Sequence, residues 1–299
     1  MTCFFDKKQY IIYLKNKNPN FHLKKMSSAS EVLIGKSRFL PFSQDGWTGL
    51  VAPDFTTLFD RLDKWLTEDS TVILEAPCRT IRRHQTTLGS LYSKLMRAQN
   101  DGAYTRKEWF AWLKWAFGPS RVLHILKVSS LMMAKGHACA IPVLAVRKRQ
   151  WSGRHLNLLV TQEVLFPTVE QFVTGASPLE ALRLSGEALA ALHQDSFVHG
   201  DFLPRNCCLD MTHRRLFFLD NDKTSHWRHA PFFLQQRNLE QFAYNLMRLT
   251  DNQTLPLPFL TAYFESREFT PSRRAAIESS VMRHALARWQ RHVRATARQ

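Results

Sequence analysis

From about Trp47 onward, apolar residues fall into short runs that switch between two periods, one of alternate positions and one of every third or fourth. "TVILEA" (71–76) and "SLYSKLM" (90–96) read as strands, and "PCRTIRRHQTTLG" between them continues or connects the pair. "SRVLHILKVSSLMMAKG" (120–136) has the helical period, and Gly136 is placed to end it. "IPVLAVRKR" (141–149) and "LNLLVTQEV" (156–164) return to strand character. This half of the chain therefore predicts a sheet with one prominent helix.

The second half predicts mainly helices. "SPLEALRLSGEALAALHQDS" (177–196) opens with Ser177 as N-cap and Pro178 at the first helical position, and Leu179, Leu182, Leu189 and Leu192 share a face. A polar loop follows, then the strand "RRLFFLD" (214–220), the helix "QRNLEQFAYNLMRLT" (236–250) and a last helix over most of 271–299. The expected division is a tail over 1–45, a sheet-rich lobe over 46–166 and a helical lobe over 167–299. Residues 1–25 are rich in Lys and Asn and contain no Arg. They predict either a poorly ordered tail or a translation start at Met26.

Hydrophobic residues make up 44% of the 299, enough for a sizeable core, so the chain reads as folded and not disordered. The most apolar window, 122–146, is interrupted by His124, Lys127, Lys135 and His137, which predicts buried elements and not a bilayer span. No secretory signal pattern is evident at the N-terminus. Five cysteines with no CxxC pair argue against a disulfide framework and for a reducing cytoplasm. A formal charge of +16 calls for an anionic partner: nucleic acid, a phosphorylated small molecule or an acidic membrane surface. Nucleic acid is not expected, because no zinc spacing, RNA-binding aromatic signature or DNA-reading helix is present.

The polar loop is "HGDFLPRN" (199–206), and the strand after it ends in "FFLDNDKT" (217–224). A phosphoryl-transfer site needs a carboxylate near the attacking hydroxyl, oxygen ligands for a divalent metal and a cation on the nucleotide phosphates. Asp201 and Asn206 have the Asp-x-x-x-x-Asn spacing of a protein-kinase catalytic loop. Asp220 ends an apolar strand, where such enzymes keep a second metal ligand, and Lys94 alternates outward on its strand. His199 is expected to hold the loop, His193 to sit at a helix end favourable for a cation, and Cys207 and Cys208 to fill core space. Arg205 either contacts an anionic group of the acceptor or is solvated.

"HGDFLPRN", "FFLDND" and "RNLEQFAYNL" resemble the lipopolysaccharide core kinases of Gram-negative bacteria, the Kdo and heptose kinase family, and the similarity runs over roughly residues 70–250. It implies an α+β, protein-kinase-like bilobal fold with a small sheet-rich lobe and a larger helical lobe. It further implies ATP with Mg²⁺ or Mn²⁺, and a sugar hydroxyl of the lipopolysaccharide inner core as acceptor. By position, Asp201 would be the catalytic base, Asn206 and Asp220 the metal ligands, and Lys94 the residue holding the α- and β-phosphates. The implied location is the cytoplasmic face of the inner membrane, with peripheral attachment to an anionic surface.

The chain departs from a protein kinase in four places. Asp222 stands where the Asp-Phe-Gly of a protein kinase has its glycine and competes with Asp220 as metal ligand, Asp220 being preferred. Gly89 stands alone where a glycine-rich loop is expected, the 120–135 helix has no Glu for Lys94, and Asn238 replaces the Asp of an "R-D-L" segment. A degenerate kinase fold that binds or scaffolds without transfer is a second reading, and a small-molecule or protein acceptor is a third. "DNDKT" also fits the Asp-x-Asp-x-Thr of aspartyl-phosphate phosphatases, with Asp220 as nucleophile. That motif normally opens its domain, however, and it leaves "HGDFLPRN" unexplained. The segment 271–299 carries seven Arg and one acid, with Ile277, Val281, Ala285, Trp289 and Val293 at helical spacing. It reads as a helix docked on the large lobe with a basic outer face, and a contact with anionic lipid is the functional alternative.

Overall fold

The computed structural model describes residues 31–68, 70–97, 120–150, 155–175 and 177–297. Strands β1 (Val32–Ile34), β2 (Ser37–Gln44) and β3 (Trp47–Val51) come first, followed by two 3-10 turns and a short helix α1 (Leu62–Trp65). β4 (Ser70–Ala76), β5 (Arg79–Thr86), β6 (Gly89–Met96), α2 (Arg121–Ala134), β7 (Ala138–Cys139), β8 (Pro142–Arg149) and β9 (His155–Gln162) complete the sheet-rich half. The sheet is antiparallel throughout, in the order β1-β2-β3-β8-β9-β6-β5-β4.

The two central strands explain their own sequences. Leu144, Val146, Leu158 and Val160 face a core formed with Trp47, Phe55, Phe59 and Leu62. Their neighbours Ala145 and Leu159 face the other way, against Val122, Ile125 and Leu126 of α2. With both faces covered, period-2 alternation gives way to continuous apolar runs, "VLAV" and "LLV". α2 also joins the two halves of the molecule, because Val128 and Met132 from its second half enter the helical core. Gly136 (φ +91) follows its end in the left-handed conformation open to glycine.

The helical half contains α3 (Val169–Val173), α4 (Pro178–Gln194), β10 (Phe197–Val198), β11 (Cys207–Asp210), β12 (Arg215–Phe218), β13 (Ser225–His226), α5 (Phe232–Thr250), α6 (Leu257–Glu265) and α7 (Pro271–Thr296). β11, β12 and β7 form a small sheet in the order β11-β12-β7, and β10 pairs with β13. One core gathers Leu182, Leu189 and Leu192 of α4 with Phe242 of α5, Phe259 of α6 and Ile277, Val281 and Ala285 of α7. Leu179 is the exception on the expected α4 face: it is 61% exposed. Ser177 caps α4 without a side-chain hydrogen bond.

The expected boundary after residue 45 is too late. Residues 32–44, expected in a tail, form β1 and β2 and extend the sheet beyond β3. "PCRTIRRHQTTLG", open between strand and connection, contains β5, which is hydrogen-bonded along its length to β4 and β6. The expectations for residues 1–25, including a start at Met26, lie outside the described residues.

Candidate active site

Residues 199–206 leave β10 and are fixed mainly from behind. His199 is fully buried; its Nε2 lies 3.0 Å from the Leu219 carbonyl, and its Nδ1 accepts from the Asp201 N–H at 3.3 Å. Burial holds this imidazole below the usual histidine range, outweighing the Leu219 carbonyl and the Asp220 and Asp201 carboxylates, which favour the proton. It is therefore the neutral tautomer, a rigid spacer between two loops. Phe202 stacks on Phe242 at 4.7 Å between ring centroids and anchors the loop in the helical core. Gly200 has no room for a side chain, because a Cβ there would lie 2.1 Å from Lys223 Cβ and 2.4 Å from the Lys223 carbonyl oxygen.

α5 supplies the remaining support. Asn238 donates through Nδ2 to the His199 carbonyl and meets His193 Nε2 at 3.1 Å through Oδ1. His193 continues to the Tyr263 hydroxyl at 2.9 Å. Desolvation pushes His193 down to about 3 despite the Asn238 hydrogen bond, so it is neutral. The expectation of a helix-end cation fails here: the side chain points into the core and does not meet the helix dipole. One turn along α5 from Asn238, Gln241 Nε2 donates to Asp201 Oδ1 at 2.8 Å and fixes the carboxylate.

The metal-ligand candidates are stitched to the same frame. Asn206 Nδ2 donates to the Asp201 carbonyl at 2.9 Å and lies 3.4 Å from Asp201 Oδ2. Its amide oxygen stays available to a cation. The Asn206 carbonyl accepts from the Leu219 N–H at 2.8 Å, so both polar groups of the Leu219 backbone are held and Asp220 emerges from a fixed point. Asp220 is left-handed (φ 53), a conformation Asp tolerates better than most side chains. Burial opposes its charge, but the Lys94 ammonium overcomes this, with smaller help from the Arg79 guanidinium, and the carboxyl is held below its usual range.

Lys94 reaches this cluster from β6, on the face it shares with Met96 and α2. Its Nζ lies 2.7 Å from Asp220 Oδ1 and 2.8 Å from Asp222 Oδ2, and Arg121 Nη2 lies 2.8 Å from the same Asp222 oxygen. The four predicted residues are thus connected: Asp201 to Asn206, Asn206 through Leu219 to Asp220, and Asp220 to Lys94. Arg205 is exposed. Cys207 and Cys208 are buried with their thiols pushed up by desolvation, to about 11 for Cys208, and fill core space as expected.

The donor set suits Mg²⁺ or Mn²⁺ held in company with phosphate oxygens: one carboxylate, one amide oxygen and no thiolate or imidazole. Among the described residues no group of three or more His, Cys, Asp or Glu side chains could hold a metal without such help. Gly89, expected at the position of a glycine-rich loop, lies at the β5–β6 turn. That turn is five residues along the strand from Lys94, about 17 Å. The Lys94 end of the sheet carries the β4–β5 turn instead, Pro77–Cys78, with Arg79 adding to the field on Asp220.

Gln241, Arg121 and the double partnership of Asp222 are missing from the sequence expectations. Gln241 had no distinguishing local signal: it lies three residues from Asn238 on one helix face, but α5 carries many other polar residues. Arg121 and Asp222 had none, being 101 residues apart.

No family model matches the chain, and no curated protein does. Among solved structures, it is similar to WaaP in complex with acyl carrier protein, with a TM-score of 0.54 and 16% identity over 79% of this chain and 97% of that one. A second likeness is to the Rio2 kinase–ADP/Mg²⁺–phosphoaspartate complex from Chaetomium thermophilum, with a TM-score of 0.46 and 13% identity over 83% of this chain and 81% of that one. The first likeness, with the sheet-rich and helical halves described above, establishes a protein-kinase-like α+β fold of two lobes.

Proposed function

We propose that the protein is a phosphotransferase that moves the γ-phosphoryl group of ATP to a sugar hydroxyl of the lipopolysaccharide inner core. The observation that carries this reading is the connected set Asp201, Asn206, Asp220 and Lys94, held on one hydrogen-bonded frame. Asp201, fixed at Oδ1 by Gln241, orients the acceptor hydroxyl and takes its proton late in transfer. The acceptor oxygen bonds to the γ-phosphorus as the bond to the β–γ bridging oxygen breaks, and ADP leaves. Asn206 and Asp220 would hold Mg²⁺ or Mn²⁺, which would supply positive charge to offset that of the transferring group. Lys94 exchanges a carboxylate partner for the α- and β-phosphates.

The net charge of +16 and the exposed arginines of α7 support an anionic, phosphate-bearing glycolipid as substrate and peripheral attachment at the cytoplasmic face of the inner membrane. Among the described residues no helix is long and apolar enough to cross a membrane. One observation favours a second reading, a nucleotide-binding module without transfer: the β4–β5 turn has no glycine to let its backbone close over phosphates.

Incubation with γ-labelled ATP, Mg²⁺ and dephosphorylated lipopolysaccharide core separates the two. Label on a core sugar is the expected result. Nucleotide binding with no label on any core sugar would favour the binding module or a different acceptor.

A further inference from the structure

A protein kinase keeps its nucleotide-binding lysine in place with an acid on the neighbouring helix. α2 offers none, since its sequence from Arg121 to Ala134 contains no Asp or Glu and begins with a cation. We propose that Asp222 does this work from the opposite side, positioning Lys94 and tying α2 to the metal-binding loop, an inference that rests on the phosphotransferase reading of the site.

The geometry is specific. Asp222 Oδ2 is shared between Lys94 Nζ and Arg121 Nη2, each at 2.8 Å. Its side chain is only 9% exposed and that of Lys94 16%. A carboxylate so enclosed is stable as an anion only with paired cations around it. Lys94, Arg121, Asp220 and Asp222 together carry two charges of each sign, so the cluster is neutral without ligand. Lys94 has three donors. A metal that claims Asp220 removes one of its two acidic partners and leaves Asp222 as the one that still holds the ammonium.

Asp222 is also the middle of a latch. On either side of it, Asn221 Nδ2 donates to Ser129 Oγ at 3.1 Å, and His124 Nε2 meets the Thr224 carbonyl at 3.1 Å. Residues 221–224 are therefore bound to α2 at three points, of which Arg121–Asp222 is the charged one. The linkage between helix, lysine and metal loop found in a protein kinase is present with its charges reversed: the helix gives the cation and the loop gives the acid.

The test uses the full chain and a fluorescent ATP analogue, titrated with Mg²⁺ and in EDTA. Asp222→Asn is expected to weaken nucleotide binding about tenfold or more in both conditions, with the Mg²⁺ concentration for half-saturation unchanged. Arg121→Gln is expected to cost about two- to threefold, because Arg121 is 41% exposed and solvent screens its charge. Unchanged affinity in EDTA with a raised Mg²⁺ requirement would make Asp222 a metal ligand and overturn the proposal, as would no effect in either condition. Thermal unfolding of Lys94→Met, Asp222→Asn and the double variant, all without nucleotide, gives a readout independent of ATP. The double variant is expected to lose less than the sum of the single shifts, and additive shifts would contradict the pairing. If the wild type binds no nucleotide, the phosphotransferase reading fails, and the unfolding cycle still decides whether Asp222 holds Lys94.

Discussion

His193 shows how strongly a single buried side chain behind the 199–206 loop depends on its protonation state. It is enclosed between Asn238 and Tyr263, and desolvation holds it near 3, below the 6.5 of an exposed histidine. The unfolded chain binds this proton as pH falls through 6.5, and the folded chain does not until about 3. The neutral form's contribution is therefore complete above pH 6.5 and is lost progressively between 6.5 and 3. At pH 5 the loss from this one group is about 2 kcal/mol. Urea unfolding at pH 7.5 and 5 should show a drop in stability that is smaller by about that amount in His193→Gln. Equal drops in the two proteins would mean that His193 titrates normally in the folded state. This burial was hidden from the sequence, where a histidine in the last turn of a helix has the pattern of a dipole-stabilised cation.

Among the elements, the legible ones are those whose signal is local. β8 and β9 announce themselves by continuous apolar runs, α2 by its period and Gly136, and the 199–206 loop by the fixed spacing of Asp201 and Asn206. β1 and β2 lie outside the expected sheet, although Asp45 (φ 48) and Gly46 (φ 81) form the two-residue Asp-Gly turn that favours a hairpin. Pro41 within β2 masks the strand, because proline seldom sits inside a ladder. α7 was legible in period and in charge. Ile277, Val281 and Ala285 dock it on the helical core, and residues 291–297 are exposed. Removing α7 would therefore uncover core, so its role at a membrane is better tested by charge alone. Replacing exposed Arg283, Arg291 and Arg294 with Gln should leave the melting temperature unchanged. It should weaken binding to anionic vesicles by about 1 kcal/mol per arginine, roughly a hundredfold for the three. Unchanged flotation with such vesicles would leave α7 as a structural helix with a solvated face.

At the scale of the whole molecule, the two lobes meet at a cluster that no local pattern could reveal. Lys94 and Asp220 are 126 residues apart, and Lys94 and Asp222 128. Each was readable as a kind of residue in a kind of element, but the pairing depends on β6 and the loop after β12 arriving at the same place. α2 brings this about, with its first half on the sheet, its second half in the helical core and its polar side chains on residues 221–224. The absent helix acid and the glycine-free β4–β5 turn read as defects when compared with a protein kinase. In the fold, the first is matched by Asp222 and Arg121, and the second leaves Arg79 beside Asp220. On the proposed phosphotransferase reading, Asp201 acts on the acceptor, Lys94 holds the nucleotide phosphates and Asp220 would hold the metal. The most direct measurement is single-turnover transfer of γ-phosphate from ATP to dephosphorylated core, comparing the wild type with Asp201→Asn at saturating nucleotide. A rate lower by about 10² to 10⁴, with nucleotide affinity unchanged, is the expected result. Equal rates would show that Asp201 is not the base, and a loss that follows nucleotide affinity alone would place it in binding and not in transfer.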